Sequence, residues 1–144
     1  MRRFTTYVLA VLMAASVALA ASQKASTPED LDKAMKRIQP ANGALNKAIK
    51  TMAWADAKKQ VAIVEEALVD AHNFWVVKKK DDAIKMSSDA QAKLKALKTL
   101  LDRPSPDSAT VTAAAREFAS SCLGCHKAYR EQDANQQFVL KPGI

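Results

Sequence analysis

Val111-Thr112-Ala113-Ala114-Ala115-Arg116-Glu117-Phe118-Ala119-Ser120-Ser121-Cys122-Leu123-Gly124-Cys125-His126-Lys127-Ala128-Tyr129 decides how this chain folds. Its apolar and sulfur-bearing side chains stand at Val111, Ala115, Phe118, Cys122, Cys125 and Tyr129, spaced four, three, four, three and four. Residues three and four apart share one face of an α-helix, so these six form a single core-facing stripe. Both cysteines lie on it, where a solvent-facing redox pair is not expected. They are the only two cysteines in the chain, which leaves nothing over for a disulfide framework.

The same period extends upstream. Thr27 reads as an N-cap with Pro28 at the first helical position and Glu29 and Asp30 on the positive end of the dipole. A first helix then carries Leu31, Met35, Ile38, Leu45, Ile49 and Met52, with Pro40 expected to kink or break it. A second helix begins near Asp56 and carries Val61, Val64, Leu68, Ala71 and Trp75. A third begins near Asp81 and carries Ala83, Met86, Ala90, Leu94, Leu97 and Leu101. Asp102-Arg103-Pro104-Ser105-Pro106 breaks the chain, with Ser105 read as the next cap, and the fourth helix is expected to run to about Asp133. Glycine is rare and no stretch alternates apolar and polar residues over strand length. The reading is all-α: four amphipathic helices joined by short loops, most simply an antiparallel up-down-up-down bundle.

Ahead of this lies a different kind of segment. Arg2 and Arg3 precede the uncharged, mostly apolar stretch Tyr7–Ala20, which ends in Ala18-Leu19-Ala20, the small residues a signal peptidase needs. A retained membrane anchor is the rival reading. The stretch is short for a span of about 20 apolar residues, and its alanines thin the hydrophobicity. The domain organisation is therefore a signal peptide at 1–20, cleaved after Ala20 or within two residues, and one domain at 21–144. The chain's net charge of +7 becomes +5 without the signal's two arginines. The basic residues are dispersed along helices and Lys78-Lys79-Lys80 is their only run, so they read as a solvated surface. Export argues against nucleic acid as a partner.

Cys122-Leu123-Gly124-Cys125-His126 is the spacing by which haem c is attached covalently: two thioethers to the porphyrin, and an imidazole one turn on to meet the iron. Export and this motif support each other. In an up-down-up-down bundle the start of the first helix lies beside the end of the fourth. Met35 is seven residues past Pro28, about 10 Å along the axis, and His126 lies about as far from a helix end near Asp133. The two then stand at one depth, with His72, Phe74, Trp75 and Ile84 at the same level. That places the haem near the C-terminal end of the fourth helix.

Cys122-Leu-Gly-Cys125-His126-Lys-Ala-Tyr129-Arg130, near the end of an exported four-helix chain, resembles the cytochrome c-prime family, including its low-spin, methionine-ligated branch. The resemblance covers essentially the whole of 21–144. It implies that Tyr129 packs by the haem, that Arg130 lies on the proximal side near His126, and that Met35 faces the distal side. Family members often carry an arginine four residues before that methionine position; here it is Leu31, which leaves Lys36 and Arg37 as candidates to meet the propionates. The family also often dimerises through its first two helices.

Three functions follow. The first is a periplasmic electron carrier with His126 and Met35 as axial ligands, meeting a redox partner protein, for which the basic surface suits an acidic one. The second is a five-coordinate haem protein that binds nitric oxide or carbon monoxide for sensing or scavenging, Met35 only crowding the distal face. The third, a haem-free zinc or dithiol protein, needs His72 as a fourth ligand or a βαβ context that is missing. No nucleophile–base arrangement and no phosphate loop is present, so an enzyme is not expected. Met35 and His72 each also have an ordinary reading, as core filler and as a hydrogen-bonded edge residue, and Trp54, Trp75 and Phe118 read as packing residues.

Overall fold

A capping box starts the first helix, α1 (Pro28–Lys50): the Thr27 hydroxyl accepts the Asp30 N–H while the Asp30 carboxylate accepts the Thr27 N–H. These are the first of residues 27–144, which the computed structural model describes; the signal segment expected at 1–20 lies outside the described residues. Pro40 does not end the helix: α1 is continuous through it. Pro40 is exposed, and beyond it Ala41, Leu45 and Ala48 are buried, so packing keeps the second half of α1 helical despite the missing N–H.

The second helix, α2 (Trp54–Lys78), starts two residues before Asp56 and has no side-chain cap; Asp56 sits in its first turn and complements the dipole instead. Lys79, in the left-handed region at φ 53°, ends it and hands the chain to α3 (Asp81–Leu101). The fourth helix, α4 (Ser108–Tyr129), is capped by Asp107, not by Ser105. The Asp107 carboxylate accepts both the N–H and the hydroxyl of Thr110, and a charged acceptor makes the stronger cap.

The C-terminal end also differs from expectation. α4 stops at Tyr129, and Arg130–Gln132 (β1) pairs antiparallel with Phe138–Leu140 (β2), Arg130 opposite Leu140. The Asp133 carboxylate accepts the N–H groups of Asn135 and Gln137 in the turn, and the Arg130 guanidinium stacks over the Phe138 ring at 3.8 Å.

The result is a four-helix bundle with this small hairpin appended. α1 packs on α2, α2 on α3 and α3 on α4, and α1 meets α4 more sparsely. The core divides in two. One cluster is aliphatic and drawn from all four helices, with Leu45, Val61, Val64, Leu94, Leu97, Leu101, Val111 and Phe118 buried. The other is built on Leu31, four alanines, Phe74 and Trp75. Among the described residues no helix is long and apolar enough to cross a membrane.

Candidate functional site

The Cys-x-x-Cys-His stretch lies where the two clusters meet. Cys122 packs against the aliphatic cluster; Cys125 and Tyr129 pack against the second. The first half of α4 buries Val111, Ala115 and Phe118 completely, whereas Cys122, Cys125, His126 and Tyr129 are only half-buried. Leu123, between the cysteines, is 68% exposed. The predicted stripe therefore runs from full burial to the rim of the bundle along a single helix.

Burial sets the protonation of these groups. It pushes the Cys125 thiol up to about 11, with Cys122 and Asp82 adding like-charge opposition, and it raises the Cys122 thiol as well. Both thiols are free and protonated near neutral pH, which suits neither rapid disulfide exchange nor a dithiol catalyst. Burial, with a contribution from the Arg130 charge, holds the His126 imidazole below its ordinary value, so the ring is neutral and keeps a lone pair for a metal.

Met35 packs against the same cluster as Cys125 and Tyr129. The depth argument used a helix end that is not there: His126 is three residues, about 5 Å, from the end of α4. Side-chain packing brings Met35 to the level of the motif all the same. Ile84, Phe74 and Trp75 belong to the cluster as expected. Trp75 is sandwiched, edge-on to Phe74 at 4.8 Å and tilted against Tyr129 at 4.6 Å between ring centroids. Phe118 and Trp54 pack with the aliphatic cluster at the other end.

His72 stands apart from the motif: its Nδ1 lies 2.9 Å from the hydroxyl of the buried Ser87, which is also 2.9 Å from the Ile84 carbonyl. Lys36 pairs with Asp32 at 2.6 Å, and Arg37 bridges to Glu66 and Asp70 on α2, so the acids nearby already engage both propionate candidates. Leu31 is buried in the second cluster. Lys78, expected in a solvated turn, instead lays its ammonium 5.6 Å from the Phe74 ring centre and donates to the Ile144 carbonyl.

Several residues of this end escaped the sequence reading. Asp82 accepts the Tyr129 hydroxyl at 2.5 Å; the hydrogen bond, with desolvation second, pushes the phenol up to about 12, and the same bond, against desolvation, holds the Asp82 carboxyl below its usual range. Met86 lies so close to Gly124 that an added Cβ would meet its sulfur at 3.3 Å. Leu140 and Ile144 fold back onto the second cluster, and Lys141 satisfies the carbonyls of Tyr129 and Lys127. The aromatic and β-branched run Phe138-Val139-Leu140 was the available signal for that return.

A covalently held haem is compatible with these residues. Two unpaired thiols and a neutral imidazole occupy one turn and a half of one helix, none fully buried. Ala34, Ala67, Ala71 and Ala83, small side chains of the cluster that Cys125 and Tyr129 pack against, are buried. Among the described residues no group of three or more His, Cys, Asp or Glu side chains converges to hold a metal ion, so a closed zinc site lacks its ligand set. In comparisons with known proteins, no family model, no curated protein and no solved structure matches the chain.

Proposed function

We propose that this chain is an exported, single-haem cytochrome of the cytochrome c-prime kind, an electron carrier in the periplasm. Its four helices run up-down-up-down, as the brief connections Thr51–Ala53, Lys79–Lys80 and Asp102–Asp107 favour. Haem c is held by Cys122 and Cys125, with His126 and Met35 as axial ligands. The observation that carries this reading is that Met35 of α1 and Cys125 of α4 pack against one cluster. The bound group would supply a one-electron redox centre, whose potential a soft thioether ligand raises.

The chain's own residues do the rest. Cys122 and Cys125 anchor, and their protonated thiols are consumed as thioethers. His126 offers a lone pair, its ring kept neutral by burial. Tyr129 is fixed from two sides, by the Trp75 ring and by Asp82, and so presents a rigid wall beside the motif. Phe74 and Trp75, 0% and 3% exposed, exclude water from that end. Leu123 and Lys127 stay exposed next to the motif, an apolar and a basic group where an acidic redox partner would meet the carrier.

Intact-mass measurement of the protein expressed with a cytochrome maturation system tests attachment. The expected mass is the chain without its signal plus one haem, retained through acid–acetone extraction. An unmodified mass, or a pigment that extracts, sinks the proposal. A ferrous spectrum altered at once by carbon monoxide would leave the covalent haem standing and replace electron transfer by gas binding.

A further inference from the structure

The geometry points to a site for a small amphipathic anion, a carboxylate on a short apolar body, in the groove between α1 and α4 and away from the Cys-x-x-Cys-His motif. The groove has a volume of about 200 Å³ and is lined by Asn46, Ile49 and Lys50 from α1 and by Thr112, Ala115 and Arg116 from α4. Ile49 and Ala115 are buried and form an apolar floor. Lys50 and Arg116 stand on opposite lips. Neither makes a hydrogen bond or an ion pair among the described residues, although eight other ion pairs engage cations of this chain. No acid stands three or four residues from either on its own helix, so no local carboxylate can turn toward them.

The groove on the opposite side of the bundle gives the contrast. It is of similar size, about 210 Å³, between α2 and α3, and is lined by Glu65, Val69, Gln91, Leu94 and Lys95. There the chain supplies its own anion: Glu65 pairs with Lys98 at 2.5 Å, and the Gln91 amide donates to the Leu68 carbonyl, tying the two helices together. Among the described residues no hydrogen bond or ion pair joins α1 to α4, the sparsest of the neighbouring packings. Two like charges across an apolar floor repel each other, and an external carboxylate between them removes that repulsion. Asn46 and Thr112 add neutral hydrogen-bonding groups on either side. A groove of this size takes the volume of roughly seven waters, which matches a ligand such as benzoate and excludes a nucleotide.

Titrating the purified protein with benzoate at fixed ionic strength, followed by thermal unfolding and methyl NMR, tests this. The expected result is a saturable rise in the unfolding midpoint, with shifts confined to the methyls of Ile49, Thr112 and Ala115. Lys50→Gln and Arg116→Gln are both at exposed positions and should each weaken the apparent Kd about tenfold. Benzamide, which has the shape without the charge, should give no rise, and inorganic phosphate, which leaves the floor uncovered, a smaller one. An equal rise with benzamide or with phosphate, an unchanged Kd in Arg116→Gln, or shifts spread over the whole surface would overturn the assignment. None of these readouts depends on the iron's ligands, so the result stands apart from the haem proposal.

Discussion

The two ends of this bundle are made of different material. At one end Leu45, Val61, Val64, Leu94, Leu97, Leu101, Val111 and Phe118 interdigitate from four helices with no exposed surface to speak of. At the other, two aromatics and four alanines form the buried part, and Met35, Met86, Cys125, Tyr129, Leu140 and Ile144 close it only partly. α4 passes through both, fully buried in its first half and half-buried in its second. An aliphatic core of interlocking branched chains specifies the fold. An end built of alanine, sulfur and aromatic rings has few fully buried side chains, and its polar groups are held by hydrogen bonds instead: Tyr129 to Asp82, His72 to Ser87, Lys78 to Ile144. Full burial is concentrated at one end and the Cys-x-x-Cys-His motif stands at the rim of the other.

The sharpest way to break that comparison is Phe118→Ala. Phe118 is 1% exposed in the aliphatic cluster, so truncation should cost about 3–5 kcal/mol in urea unfolding. A loss under about 1 kcal/mol would mean the aliphatic end does not carry the fold. Cys122→Ala with Cys125→Ala probes the other end. The pigment should be lost and hydrogen exchange should quicken around Phe74 and Trp75, while amides of Leu94, Leu97 and Val111 keep their protection. Uniform loss of protection would show the two ends to be one cooperative unit.

The next effect is spectroscopic. Met35→Ala should abolish the sulfur-to-ferric-iron charge-transfer band and open the haem to carbon monoxide, whereas Met86→Ala should leave both unchanged. If the two variants exchange behaviours, the ligand is the sulfur beside Gly124, on α3 rather than α1. Arg130→Gln tunes rather than breaks. Arg130 lowers the His126 pKa through its charge while stacking on Phe138, so removing it should lower the midpoint potential by something on the order of tens of millivolts at low ionic strength. An unchanged potential would place that charge among the solvated ones.

How much of this could be read in advance differs between the same two ends. Thr27-Pro28 and the apolar periods of the four helices were legible because caps and core stripes are local and depend on spacing alone, apart from Met52, which lies beyond the end of α1 at 60% exposure in the left-handed region. The cap of α4 was misplaced from Asp107 to Ser105 because Pro104 and Pro106 offered a competing pattern. The hairpin left only the run Phe138-Val139-Leu140 as a signal: strands of three residues are too short to show a period, and what holds them, Arg130 on Phe138 and Asp133 on its turn, is tertiary or turn chemistry. Missing it extended α4 to Asp133 and weakened the depth count for His126. Met86 was read only as part of the third helix's apolar stripe for a related reason, since counting along axes says nothing about which helix leans on Gly124. The motif itself was plain, but Asp82, which fixes Tyr129 from 47 residues away, had no local signature.

The smallest expected effect belongs to that Tyr129–Asp82 pair, and it fades at both extremes of pH. The Asp82 carboxyl is held below its ordinary value by the tyrosine hydroxyl, so its contribution is present above the ordinary carboxylate range and is lost as pH falls through the depressed value. The Tyr129 phenol is pushed up to about 12, chiefly by the same hydrogen bond, so its contribution is complete below its ordinary value of 10 and is lost as pH rises through about 12. Tyr129→Phe should therefore lower the urea midpoint slightly at neutral pH. The gap from wild type should narrow toward low pH and again above pH 10. Tyr7 lies in the expected signal segment, so Tyr129 is the only tyrosine left after cleavage and its ionisation can be followed directly by tyrosinate absorbance. A phenol titrating near 10, with a gap independent of pH, would show that the pair does not persist in solution and that the Trp75 ring alone fixes this wall of the site.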